Sequence, residues 1–164
     1  MPWQASGMGI RLALAAVAVL ALAGCSGDDP GAGPGDEKTT DADCAARIPD
    51  HVFDTLGWSS PKAAEATVRG CHREAEQGYV ELRDRTGDYD RLCQTLDRSG
   101  QVGPGTPADW LDDVTACAVE PSGDVGQTKV LVKGSGELLT QITVVVVSST
   151  DQAKVRGAVQ QLVD

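Results

Sequence analysis

Residues Leu138–Val147 constrain the fold more than any other stretch of this chain. Side chains alternate between the two faces of a strand, and here both sets are apolar. Leu138, Ile142, Val144 and Val146 share one face; Leu139, Val145 and Val147 share the other. Only Thr140, Gln141 and Thr143 interrupt them. A strand with two apolar faces belongs inside a sheet that is covered on both sides. The segment that follows supplies one cover. Ser149 and Gln152 fit a capping box, and Val155, Ala158, Val159 and Leu162 then recur at helical spacing. This stripe is expected to lie buried across the sheet.

The rest of the sheet is assembled from weaker signals. Pro49–Leu56 reads as a short helix with Val52, Phe53 and Leu56 as its stripe and Gly57 as its stop. Thr67–Arg73 and Tyr79–Arg85 read as a hairpin around Glu74–Gly78. Val80 and Leu82 are then on one face of the second strand, and Tyr79, Glu81, Arg83 and Arg85 on the other. The alternative is that Ala63–Arg69 extends a helix begun at Ser60 and Pro61. Asp88 caps a helix carrying Tyr89, Leu92, Cys93 and Leu96, with Gly100 as its stop. Thr106–Asp109 reads as the capped start of a helical turn bearing Trp110 and Leu111. Strands are expected over Thr115–Glu120 and Thr128–Lys133. The fold class is α+β: one mostly antiparallel sheet covered by the C-terminal helix and one or two short helices.

At the other end of the chain, Leu12–Leu22 is an unbroken apolar run of 11 residues, preceded by a single charge, Arg11. A helix needs about 20 residues to span a bilayer, whereas this length suits the apolar core of a secretory signal. Met8 is an alternative start. The run ends in Leu22, Ala23, Gly24 and Cys25. These four residues resemble the bacterial lipobox, an aliphatic residue and two small ones before a cysteine. The resemblance implies diacylglyceryl transfer to the Cys25 sulfur and cleavage by the lipoprotein signal peptidase, with Leu22, Ala23 and Gly24 as its recognition residues. It also implies anchorage on the outer face of the cytoplasmic membrane. The alternative is an ordinary signal peptide that contains a cysteine. Two acyl chains suffice for a stable anchor. Composition adds a source class: with no Asn, one Phe, two Tyr and three Ile, the chain avoids residues with AT-rich codons. With the lipobox, it resembles the small cell-surface lipoproteins of actinobacteria, a group with no assigned chemistry to carry over.

This reading divides the chain into a signal peptide (1–24), the lipidated cysteine with a tether (25–43), and a single domain (44–164). Ser26–Asp43 is dominated by Gly, Pro, Asp and Thr with no aliphatic residue larger than Ala, so it is expected to be disordered. Its reach is about 20–25 Å. In the domain, Cys44, Cys71, Cys93 and Cys117 form an even set, which in an exported chain reads as two disulfides. Three pairings are possible. A weak internal repeat, 44–85 against 93–147, runs cysteine, helix or loop, second cysteine and a Gly-led strand in each half. It favours Cys44–Cys71 and Cys93–Cys117.

Loss of residues 1–24 removes Arg11 and leaves 13 basic and 24 acidic residues. Such a surface repels phosphates and excludes nucleic acid as a partner. Catalytic constellations are not evident. His51 and His72 are the only histidines, and His72 follows a cysteine assigned to a disulfide. Neither the Gly-x-Ser-x-Gly nor the His-Glu-x-x-His pattern occurs. The pairs Asp112–Asp113 and Asp88/Asp90 read as solvated or capping groups, and Gly134-x-Gly136 reads as a turn. Trp58 and Trp110 are each expected to fill the core beside a short helix, since the chain has few aromatic residues; the alternative is a binding surface, since a loop Trp can anchor a partner. No cofactor and no metal are expected. The resulting expectation is a membrane-anchored, non-catalytic binding or interaction module of the cell envelope. The alternative is a carrier of a small ligand, lipid or cell-wall fragment in a pocket between sheet and helix. An enzyme ranks below both. The expected partners are the membrane, through the diacylglyceryl group on Cys25, and an envelope protein or small ligand.

The leader generates a direct test. Metabolic labelling with a fatty-acid analogue is expected to mark the wild-type chain and leave Cys25→Ala unlabelled, because the Cys25 thiol is the acceptor. Equal labelling of the two would refute the lipoprotein assignment.

Overall fold

The computed structural model describes residues 38–96 and 104–164. Leu22, Ala23, Gly24 and Cys25, the rest of the leader, most of the tether and Gly100 lie outside the described residues. Among the described residues, no helix is long and apolar enough to cross a membrane.

Seven strands form one antiparallel sheet: β1 (Glu65–Thr67), β2 (Gly70–Ala75), β3 (Gly78–Thr86), β4 (Thr106–Pro107), β5 (Ala116–Val119), β6 (Gly126–Lys133) and β7 (Leu138–Val146). Their spatial order is β1-β2-β3-β7-β6-β5-β4. The doubly apolar strand β7 is therefore the midline of the sheet. Val144 pairs with Val80 of β3 and with Thr128 of β6. Four helices accompany the sheet: α1 (Asp41–Arg47), α2 (Asp50–Leu56), α3 (Tyr89–Gln94) and α4 (Gln152–Val163).

The two faces of the sheet differ. On the inner face Val80, Leu82, Val130, Ile142, Val144 and Val146 pack with Cys44, Ile48, Val52, Phe53 and Leu56, and with Val155, Ala158 and Val159 of α4. The outer face is covered at one end only, where Leu131, Leu139, Cys117 and Val119 meet Leu96, Leu92, Cys93 and Tyr89. Beyond that cover Val145 is half-buried and Val147 is 63% exposed. Both expected disulfides are present, Cys44–Cys71 and Cys93–Cys117. Each joins a short helix to the second strand from a sheet edge. Cys71 opposes Leu82 and Cys117 opposes Leu131, so the two staples act on opposite faces. With separations of 27 and 24 residues, each contributes about 3.5 kcal/mol in the loop-entropy account.

Local structure follows local chemistry, with several departures from the sequence expectations. Pro49 caps α2, whose Gly57 stop is left-handed at φ 73°. Asp88 caps α3 by accepting from the Arg91 amide. Folded structure begins before Cys44: Thr40 and Asp43 form a capping box for α1, so residues 41–43 are helical and not tether. The first expected hairpin strand divides into β1 and β2 around Val68 and Arg69, and the helix alternative for Ala63–Arg69 is excluded. The turn of that hairpin is tight, with Ala75 paired to Gly78. Gly78 is required there: at φ 155° a Cβ would stand 1.9 Å from the Val145 carbonyl oxygen. Thr106 and Pro107 form an edge strand rather than a helix start, a position that tolerates the missing proline N–H. The cap of α4 is Asp151, which accepts from the Ala153 amide, not Ser149. Ser149 instead bonds Asp124.

One buried cation ties the helices to the sheet. Arg73 projects from β2 into the inner layer with its side chain 10% exposed. Its Nη1 donates to the Ile48 carbonyl at 2.7 Å, its Nε to the Lys62 carbonyl at 2.8 Å, and its Nη2 to Asp50 Oδ1. The guanidinium lies 5.2 Å from the Phe53 ring centroid. One side chain thereby satisfies carbonyls of two connecting segments while packing on a fully buried core ring. Replacing Arg73 with Lys is expected to destabilise the domain by at least about 2 kcal/mol, since a point charge cannot reproduce the planar fork and orphaned buried carbonyls are costly. Chemical denaturation of the two proteins measures this.

Candidate functional site: a cavity between sheet and helices

The inner layer does not cover the sheet completely. α1 packs on β1 and β2, and α2 packs against α4; a gap remains over the sheet between the junction of α1 with α2 and the C-terminal end of α4. The gap is a cavity of about 410 Å³. Leu82, Ile142, Val132 and Thr140 form its floor, Leu162 and Val163 one wall, and Ala46 and Pro49 the other. Leu82 and Ile142 are buried, whereas Val132, Leu162 and Val163 are half-buried because they line the space. Leu162, expected in the core with Val155 and Val159, is thus a wall residue.

Arg47, Gln161 and Asp164 at the rim each make side-chain hydrogen bonds, while Gln161 Oε1 is buried without a partner among the described residues. Arg47 closes α1 and grips Asp84 of β3 through two parallel bonds, Nη1 to Oδ2 at 2.8 Å and Nη2 to Oδ1 at 2.7 Å. This bonding raises the guanidinium above its ordinary pKa and locks its charge. Gln161 donates through Nε2 to Thr55 Oγ1 at 2.9 Å, and Thr55 donates in turn to the His51 carbonyl at 3.0 Å. The Thr55 hydroxyl has one proton, so this chain fixes which way the Gln161 amide points. Asp164 accepts from Gln160 Nε2 at 2.8 Å. The imidazole of His51 stands at the mouth on an exposed residue.

A larger hollow of about 850 Å³ lies between α3, Pro107 and the segment Ala108–Cys117. Its wall is interrupted between Gln94 and Gly105 by residues outside the described range. The sheet–helix cavity is the better defined of the two.

The two tryptophans differ in placement. Trp58 is 4% exposed. It packs 6.0 Å from Phe53 between centroids, and its Nε1 donates to Thr150 Oγ1 at 3.0 Å. It is a core residue that locks the entry to α4. Trp110 is half-buried, with the Arg156 guanidinium 5.3 Å above its ring. That guanidinium is held in a bidentate pair with Glu120, at 2.7 and 2.6 Å. The pair depresses the Glu120 pKa, an effect to which Gln152 adds, and it fastens α4 to the end of β5. The two tryptophans do not form one surface.

The remaining candidates are dispersed. His72 stacks on Tyr79 on the outer face, 5.0 Å between centroids, and its Nε2 is 3.8 Å from Glu74 Oε1. Asp88 is a helix cap, Asp90 and Asp112 are exposed, and Asp113 is an exposed residue at φ 59°. Gly134 and Gly136 belong to the turn before β7. Among the described residues, no group of three or more His, Cys, Asp or Glu side chains is placed to hold a metal. Sequence reading missed the rim, Arg47, Asp84 and Gln161, because its pairs join residues 37 and 106 positions apart. Only the arginine at the end of an unrecognised helix offered a signal. No family model, no curated protein and no solved structure matches the chain.

Two truncations on α4 separate wall from core. Val159→Ala is expected to cost about 2–3 kcal/mol, as removal of a fully buried branched side chain does. Leu162→Ala is expected to cost less than about 2 kcal/mol, because its side chain already borders open space. Equilibrium unfolding of both variants reads the difference.

Proposed function

We propose that this chain is an exported, lipid-anchored binding protein of the cell envelope, and that it carries a small ligand in the cavity between β3, β7, β6 and the helices. The reading rests on the cavity. Its size falls in the range of small-molecule sites, about 300–1,000 Å³, and its lining sets an apolar floor and walls beneath a polar rim of Arg47, His51, Gln161 and Asp164. A carrier needs that combination. The burial of Trp58 and the covering of Trp110 weaken the alternative in which these rings dock a partner protein. Anchorage through Cys25 fits the same role, since a carrier at the membrane surface receives or delivers apolar cargo over a short distance. The domain is non-catalytic in this proposal, and it has no dealings with nucleic acid.

A second reading keeps the module but moves the contact. Val125 and Val147 are 54% and 63% exposed at the uncovered end of the outer face, in line with half-buried Tyr79 and Val145. This apolar corner favours a protein partner there.

The experiment is native mass spectrometry of the full chain released gently from its own membranes. The carrier reading expects an added mass of a small organic molecule, lost on solvent extraction and absent from Leu162→Trp, whose indole fills the cavity. An unliganded wild type that does not gain thermal stability from an envelope lipid extract would contradict it, and the outer face would become the leading contact.

A further inference from the structure

The chemistry of the rim limits what the cavity accepts. Carriers of ionised acids place an unengaged cation where the head group arrives. Here the one arginine of the rim is already neutralised: both Nη atoms of Arg47 are bonded to the Asp84 carboxylate. An entering carboxylate would have to displace Asp84 or sit beside it as a second negative charge in a partly desolvated mouth, and like charges at close range are strongly unfavourable. Asp164, also at the rim, adds a further negative charge. His51 faces the mouth from an exposed position. The floor beneath is Leu82, Val132 and Ile142. Its 410 Å³ corresponds to on the order of 14 non-hydrogen atoms, taking about 30 Å³ each by comparison with water.

On the strength of the carrier reading above, we propose that the cavity takes an uncharged, compact apolar molecule, an alcohol, ester or hydrocarbon, and rejects the corresponding ionised acid. The Arg47–Asp84 pair is the positioning element of that selectivity. It closes the cation off from the ligand and stitches α1 to β3 at the mouth.

The test uses two probes that share a ring system: 2-naphthalenemethanol, which is neutral, and 2-naphthoate, which is its carboxylate. Binding is measured by equilibrium dialysis of the full chain anchored in nanodiscs, with empty nanodiscs as the blank, at pH 8. The alcohol is expected to bind saturably and at least tenfold more tightly than the carboxylate. Asp84→Asn, which leaves Arg47 charged and unpaired, is expected to raise naphthoate affinity relative to alcohol affinity at least tenfold. Its fold is checked by circular dichroism; both partners are partly exposed, so little stability is at stake. Leu162→Trp, and Val132→Phe as a second filler, are expected to abolish binding of the alcohol. Equal affinity for both probes, or naphthoate binding that ignores Asp84→Asn, overturns the selectivity while leaving the site intact, provided the fillers still abolish binding. Failure of the alcohol to bind, or binding unaffected by both fillers, overturns the site itself.

Discussion

A midline strand that is apolar on both faces has to be covered twice, and most of the architecture follows from that demand on a short chain. β7 recruits β3 and β6 as direct neighbours, and its inner residues require a helical layer. The chain supplies that layer with α1, α2 and α4. For the outer side the described residues supply α3, a helix of 6 residues, which covers Leu131 and Leu139 and leaves Val145 and Val147 partly or largely in solvent among the described residues. The incomplete inner layer leaves the cavity; the incomplete outer layer leaves the apolar corner. Both candidate contact regions are thus consequences of the same shortage of covering helix.

The short helices are held by means other than size. Six- and seven-residue helices are unstable alone. α1 and α3 are each fastened by a disulfide to the strand beneath, and they lie on opposite faces because Cys71 and Cys117 have opposite facings in the sheet. α2 has no such staple. It depends on Phe53, on Trp58 beyond its end and on Arg73, whose fork gathers Ile48, Asp50 and Lys62 around the start of the helix and the segment after it. In a domain with few aromatic rings, an arginine over the lone phenylalanine takes the place of a further ring while satisfying buried carbonyls.

What could be read from the sequence was what is encoded locally. The midline position of Leu138–Val147, the burial of Val155, Ala158 and Val159 on α4, the facing of Val80 and Leu82 and the cap at Asp88 appear as expected, because each depends on residues within a few positions, whereas Leu138, Val147 and Leu162 are less buried than expected. The disulfide pairing followed from the order of the cysteines. The errors occur where a distant partner decides. Asp41, Ala42 and Asp43 look like linker until the Cys44–Cys71 bridge and the Ala66 amide bonded to Asp41 are known. Thr106 and Pro107 look like a helix start until β5 is beside them. Trp58, by contrast, is buried as its core reading expects, and what the sequence hides is its partner: Thr150, 92 residues away, receives its N–H. The cavity was the least legible feature, since its walls come from four separated segments and its rim is defined by pairs that no short window contains.

The account turns on where a small apolar molecule meets this domain. Amide and methyl chemical-shift mapping of the isotopically labelled chain during titration with 2-naphthalenemethanol answers that at residue level. The account predicts that perturbations centre on Leu82, Val132, Ile142 and Leu162, with His72, Tyr79, Val145 and Val147 unmoved. Perturbations confined to those four outer-face residues, with the cavity methyls silent, would contradict it.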